Sequence, residues 1–377
     1  PPGPDIVIGA NAPLTGDLGI FGKPMQLGYQ QAVDEVNGAG GILVDGKVSK
    51  IKLNLTDDKS DPNTATDLAR SAYLKDNAVA MLGSATPPLN NPITAVAEQV
   101  KKPLMLTNNP LRAWLSGKQG GYTWAWDTFF DELQMTQVQF QTSDLIQTNK
   151  QVALFTDTEE DGVTMGNLWE TTAPKMGYKV VYHAKFPVGT NNFSSQISAA
   201  KQANADVLIA QMIPPDAAAL WKQMKAVGFV PKAAFCEKCG NGGGWFQILG
   251  PVSNGTMNAD WWSSSLPLPQ AQDFVNKYAQ QLGGQTGDLS VIVASYSAAK
   301  VLFDALAAAQ STDPQKLNDA LGKTDKTYPL GPIKFDKDHI APIKAIATQW
   351  NGPNVQRVWP TDPPGAAKVV TPPPGLQ

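Results

Sequence analysis

Short apolar runs alternate with helical patterns almost throughout these 377 residues, and this alternation narrows the fold more than any other feature. DIVIGA (5–10) reads as a short buried strand. KPMQLGYQQAVDEVNGAGG (23–41) follows as a helix: Leu27, Ala32, Val33 and Val36 lie near helical spacing, and Gly38, Gly40 and Gly41 end it. IKLNLTDD (51–58) alternates as a strand does. Asp61-Pro62 then opens a helix, since Asp caps an orphan N–H and Pro lacks a donor only where none is needed. VAMLG (79–83) and PLMLTNN (103–109) are further strands around a helix containing ITAVAEQV.

A second series repeats the grammar. QVALFTD (151–157), KVVYHAKF (179–186), DVLIAQM (206–212) and AAFCE (233–237) are strands, separated by helices through LWETTAPKM, SSQISAAKQA and DAAALWKQMKAVGF. Strands alternating with helices imply α/β architecture, here as two lobes, each with a mainly parallel sheet and helices on both faces. The length also suits two domains.

In open α/β sheets, ligands sit outside the carboxyl ends of strands. Those ends here are small and polar: NAPLTGD, GSATPPLNN, TNNP, TDTEEDG, QMIPPD and CEKCGN, three from each half. The segment FCEKCGNGGGWF holds both cysteines, Cys236 and Cys239. Two ligands fall short of the four a closed zinc site takes, and His183 and His339 are distant. GNGGG is a poor first helical turn for a redox pair. A local disulfide or two inert thiols remain. The glycines would let the backbone approach a solute closely.

Other chemistries find little support. A formal charge of −3, from 30 basic and 33 acidic residues, favours neither nucleic acid nor an anionic membrane as partner. SVIVASYSAAKVLFDALAAA is broken by Lys300 and Asp304 and reads as a buried helix rather than a membrane span. There is no GxSxG elbow and no GxGxxG after the first strand, and LGKT (321–324) has Leu317 where a phosphate loop needs glycine. The acids Asp157, Glu159, Glu160 and Asp161 read as a solvated face. No metal, cofactor or enzymatic activity is expected. The termini, PPGPD and the Pro-rich segment from about 361, read as linkers, and the absent initiator Met fits an exported chain whose signal has been removed.

IVIGANAPLTGDLGIFGKPMQLGYQQAVDEVNGAGGI and LNLTDDKSDPNTATDLARSAYLKDNAVAMLGS resemble the leucine/isoleucine/valine-binding-protein family, the type I periplasmic solute receptors of ABC importers. The likeness continues through DTEEDGVTMGN, FPVGTNNFSSQISAAKQANADVLI and ASYSAAKVLFDAL. It implies two lobes joined by three hinge crossings, near 126–130, 254–262 and 328–334, with a solute held between them. One lobe would comprise 1–125 plus 260–330, the other 126–259 plus 331–377. The partners implied are a small-molecule solute and the permease subunits; the receptor is expected to be periplasmic or extracellular, anchored or free, and a monomer. A ligand-sensing domain of the same fold is the alternative, and a hydrolase or metal enzyme a more distant one.

The resemblance also proposes contact residues. Phe21 would offer an aromatic face to the solute. Ser84, Ala85 and Thr86 occupy the carboxylate-binding loop, where Pro87 stands in place of a serine and offers no hydroxyl. Thr107, Asn108 and Asn109 lie at the next strand end and could replace it. Asp161 precedes Gly162 where a tyrosine is usual. Glu237 matches the acid that meets an amino acid's ammonium, with Lys238 either neutralising it or gripping an anionic solute. Met212 lies in the strand-end segment QMIPPD, and Trp126 and Trp262 would line the crossings. A Cys236–Cys239 disulfide would pinch the loop and direct Glu237.

Overall fold

The computed structural model describes all 377 residues, Pro1–Gln377. The chain falls into two compact units, Pro1–Phe129 with Val291–Ile343 and Phe130–Ser290 with Lys344–Gln377. It therefore passes between them three times. The first passage lies within the expected 126–130 segment; the others come later than the expected 254–262 and 328–334. Residues 260–290 stay with the second unit because the Thr348 hydroxyl donates to Asp260 at 2.9 Å and the Thr286 N–H to the Asn354 side chain at 3.0 Å. Residues 331–343 stay with the first because Ile340–Ile343 joins its sheet beside Ala125–Phe130, where the Thr128 hydroxyl donates to the Ala341 carbonyl at 2.9 Å.

The first unit's six-stranded sheet runs Ile340–Ile343, Ala125–Phe130, Leu104–Leu106, Ala80–Leu82, Ile6–Ala12, Ile51–Asp57. From Ala125–Phe130 onward every neighbouring pair is parallel. Asp61 caps the Pro62–Leu74 helix as its sequence requires, accepting from the Thr64 N–H at 2.7 Å. The apolar helix Leu289–Ala309 is 78% buried within the protein along its most apolar stretch, which makes it a core element. Helix Gly19–Gly38 meets it at Gly28, where a Cβ would stand 2.4 Å from the Ile292 carbonyl oxygen, so only glycine permits the approach.

The second unit's seven-stranded sheet runs Asn354–Trp359, Ile346–Asn351, Met257–Asp260, Ala233–Glu237, Val207–Gln211, Gln151–Asp157, Lys179–Phe186. It is parallel except at one edge, where Ile346–Asn351 pairs antiparallel with both neighbours. That edge carries the largest correction to the sequence reading, because the supposed linker beyond 361 is built onto it. Val370 exchanges two hydrogen bonds with the Gln349 side chain, Arg357 donates to the carbonyls of Pro360 and Pro363, and Leu376 is buried. The other terminus is tied down as well: the Gly3 N–H donates to the Val48 carbonyl at 2.9 Å.

Candidate functional site

Parallel strands side by side deliver their carboxyl ends to one edge of each sheet. In the first unit, three adjacent strands bring NAPLTGD, GSATPPLNN and TNNP to that edge. In the second, three adjacent strands deliver TDTEEDG, QMIPPD and CEKCGN, with Gln211 in register with both Thr156 and Glu237.

At the first unit's edge, the GSATPPLNN and TNNP loops are neutral at their tips with acids behind them. The Ser84 hydroxyl donates to Asp58, a buried acid whose pKa desolvation raises to about 6. Asn109 donates its amide to Asp127 at 2.9 Å. The Thr107 hydroxyl donates to the Thr128 carbonyl at 3.0 Å, and the Asn108 amide to Ser295 at 3.0 Å. Thr86 Oγ1, Asn108 Oδ1 and Asn109 Oδ1 remain buried without hydrogen-bond partners. Thr86 and Asn108 also hold positive φ, +70° and +53°, and are joined by the Thr86 N–H donating to the Asn108 carbonyl. For β-branched Thr86 that conformation is strained, as backbones at ligand sites often are. Phe21, in helix Gly19–Gly38, and Ala85 are both buried.

The second unit's edge is charged. Asp161, in the first turn of helix Glu160–Lys175, is buried and accepts from the Gln211 amide at 2.8 Å. Gly162 makes that turn possible, because a Cβ there would stand 2.3 Å from Asp157 Oδ1. Lys238 Nζ lies 3.1 Å from Asp161 Oδ2 and 3.9 Å from Glu159, and its side chain is only 4% exposed. The three acids Asp161, Glu159 and Asp157 hold the Lys238 pKa above that of an ordinary lysine despite its burial. Burial raises Asp157 to about 7, against the pull of Lys238. Asp157 Oδ2 and Asp161 Oδ1 have no hydrogen-bond partner. The run read as a solvated face is therefore, at Asp157 and Asp161, interior: the helix begins directly at the strand end and the Lys238 loop covers it.

Glu237 differs from expectation in its surroundings. It is fully buried, and its Oε1 accepts from the Gln139 amide and the Ala259 N–H, each at 2.7 Å. Gln139 is itself held by the Trp169 indole. Desolvation raises Glu237 to about 8, so it is largely neutral at physiological pH. Lys238 turns toward Asp161 and not toward Glu237. Its φ of +68° and the Asn241 side chain accepting from its N–H at 3.0 Å fix that direction. Cys236 and Cys239 form a disulfide around this pair, with Cα atoms 5.4 Å apart. Cys236 ends a strand rather than opening a helix, unlike a redox pair. The glycines that follow abut the protein itself, Gly240 facing Asn258 and Gly243 facing Asp288.

Of the remaining expected residues, Trp126 and Trp262 lie apart from these edges, while Met212 follows Gln211 at the second unit's edge. Trp126 stacks on His339, centroids 3.5 Å apart, and its indole donates to Asn318 at 2.8 Å, which makes it a packing residue of the first unit. Trp262 is buried beside Ser290, Thr348 and Val355, and its Nε1 finds no partner. Met212 is buried in the second unit's core. Gln211 and Gln139 were not foreseen; a glutamine closing an apolar strand was the available sign of the first.

The fold, two α/β units with loop-rich strand ends, is that of solute receptors. The periplasmic binding protein family matches residues 5–354, so the chain belongs to that family, in its type I form. Leu/Ile/Val-binding protein homolog 1 of Brucella suis biovar 1 is 28% identical over 342 residues, covering 88% of this chain and 86% of the relative. The branched-chain amino acid transporter substrate-binding protein LivJ of Streptococcus pneumoniae, solved in complex with isoleucine, has a similar structure (TM-score 0.81, 22% identity, 98% of this chain and 100% of that one). So does a Rhodopseudomonas palustris solute-binding protein in complex with benzoate (TM-score 0.77, 17% identity, 94% and 95%). The chain is a solute-binding protein and not an enzyme.

Proposed function

We propose that this protein is the exported substrate-binding component of an ABC importer, holding a small polar organic solute at its strand-end loops and delivering it to membrane permease subunits. The observation that carries this reading is where unsatisfied polar atoms collect. Thr86 Oγ1, Asn108 Oδ1 and Asn109 Oδ1 lie at the strand ends of one unit, and Asp157 Oδ2 and Asp161 Oδ1 at those of the other. Each such atom costs about 1–3 kcal/mol when left unpaired, and a solute that pairs with them removes that cost. Phe21, Thr86, Asn108, Asn109, Asp161 and Lys238 are the residues assigned to contact. The isoleucine and benzoate of two similar structures indicate the size class.

A solute that binds one conformation better than another shifts the protein toward it by that difference in affinity. Titration calorimetry with amino acids, organic acids, amides and polyols, paired with small-angle scattering, tests the proposal. The expected result is a saturable binder that compacts the particle; a panel and a cell extract that yield no such binder would overturn it.

A further inference from the structure

Both units carry acids at their strand ends, and each masks them. In the first, Asp58 stands behind Ser84 and Asp127 behind Asn109, so the unpaired atoms at the tips are the neutral oxygens of Thr86, Asn108 and Asn109. In the second, the acids are answered by an amine the protein already supplies. Lys238 is held for that purpose: its N–H is fixed by Asn241, its flanking cysteines are bonded, and its ammonium sits 3.1 Å from Asp161.

A solute ammonium brought to this edge meets Lys238, a like charge in a desolvated setting. A solute carboxylate meets Asp157, Asp161 and Glu159. The carboxylate is repelled by more acids than there are cations to attract it. The ammonium is drawn by the acids but must share Asp161 with Lys238, a like charge at short range where the low dielectric strengthens the repulsion. A hydroxyl or primary amide suffers neither repulsion. It donates to Asp161 Oδ1 or Asp157 Oδ2, both unpartnered, and accepts from the Lys238 ammonium, which lies 3.1 Å from Asp161 but is itself buried without a directed hydrogen bond. Resting on the receptor reading above, we propose that Lys238 sets this site's specificity for uncharged solutes bearing hydroxyl or carboxamide groups, and against α-amino acids.

Matched sets on one carbon skeleton test this by calorimetry with the full chain: 4-methylpentanamide, 4-methylpentanoate and leucine; 2-phenylacetamide, phenylacetate and phenylglycine; with erythritol alongside. The uncharged member is expected to bind at least about tenfold tighter than its charged counterparts. Lys238→Met exposes Asp161 to a solute ammonium, so the ranking should turn toward the amine-bearing member by a similar factor. Since that variant leaves a buried acid alone, Lys238→Met/Asp161→Asn serves as a second one: with the pair gone it should fold and lose most of its preference for the uncharged member over the amine-bearing one, while Asp157 and Glu159 still disfavour the carboxylate. A charged member binding tightest in the wild type, or a ranking unmoved by Lys238→Met, overturns the inference while leaving the receptor reading intact. If no member binds, mass spectrometry of solute released from the purified chain decides: an uncharged compound supports the inference and a charged one overturns it. Finding no bound solute there either would sink the receptor reading, and this inference with it.

Discussion

The two units end their sheets in the same topological place with different chemistry. The first places neutral side chains in front of its acids, Ser84 before Asp58 and Asn109 before Asp127. The second leaves Asp161 and Asp157 at the edge and neutralises them with Lys238. One strategy stores its cost in backbone strain, at Thr86 and Asn108; the other stores most of it in a buried ion pair. Buried pairs are seldom net stabilising, but breaking one strands its partner. The comparison thus says where each unit is fragile: the second electrostatically, the first conformationally.

The largest effect should come from splitting the pair. Asp161→Asn leaves the Lys238 ammonium buried, with Glu159 3.9 Å away as its remaining close acid. A loss of about 3–5 kcal/mol is expected in urea unfolding, with Asp161→Asn/Lys238→Met recovering most of it. Recovery confined to a few tenths would show that the loop's packing, not the charge, holds this edge.

A pH series sharpens the same contrast. Glu237 titrates near 8 in the folded state and Asp157 near 7, whereas Asp58 in the first unit titrates near 6. All three are raised above their ordinary carboxylate values by desolvation. The folded state therefore holds protons the unfolded chain has released, and stability from these groups is complete below about pH 4 and lost as pH rises through the folded values. The second unit should keep losing stability up to about pH 8, at no more than about 1.4 kcal/mol per pH unit for each group, after the first has levelled off. Glu237→Gln keeps an acceptor for Gln139 and Ala259 while removing the titration. Its chemical-denaturation curves should be flatter than the wild type's between pH 6 and 8.

How much of this was legible beforehand also differs by level. Gln151–Asp157 and Ala233–Glu237 match their sequence-derived bounds because parallel strands buried on both faces are largely apolar runs, and the half-buried edge strand Lys179–Phe186 matches through its β-branched and aromatic residues. The C-terminal strands Ile346–Asn351 and Asn354–Trp359 were not foreseen, since IATQWN and NVQRVW mix polar and apolar residues without a helical neighbour to mark them. The strand-end loops could be read from composition and order. Their internal pairing could not: nothing near Asp161 in sequence announces Lys238, and nothing near Glu237 announces that Gln139 and Ala259 will enclose it. Such partners are set by strand order, which local patterns leave open.

The disulfide gives a middle-sized test. Closing so short a loop restricts the unfolded chain modestly, so Cys236→Ala/Cys239→Ala should cost about 2 kcal/mol by the chain-entropy estimate. If Asn241 and Asp161 alone suffice to aim Lys238, solute affinity will barely change; a loss beyond about tenfold in calorimetry would assign the positioning to the disulfide.

The smallest effect, and the only expected gain, belongs to the first unit. Thr86 precedes helix Pro87–Val100 at φ +70° and ψ 150°, a region that glycine enters without a Cβ clash and threonine does not. Its hydroxyl is unpartnered, so removing it strands nothing. Thr86→Gly therefore releases strain and a buried polar group, offset in part by glycine's greater freedom in the unfolded chain. A net stabilisation of about 1 kcal/mol is expected from denaturant midpoints, together with weaker solute binding if the hydroxyl reaches the ligand. Lower stability with binding unchanged would make Thr86 an ordinary structural residue, and would remove the conformational half of the contrast between the two units.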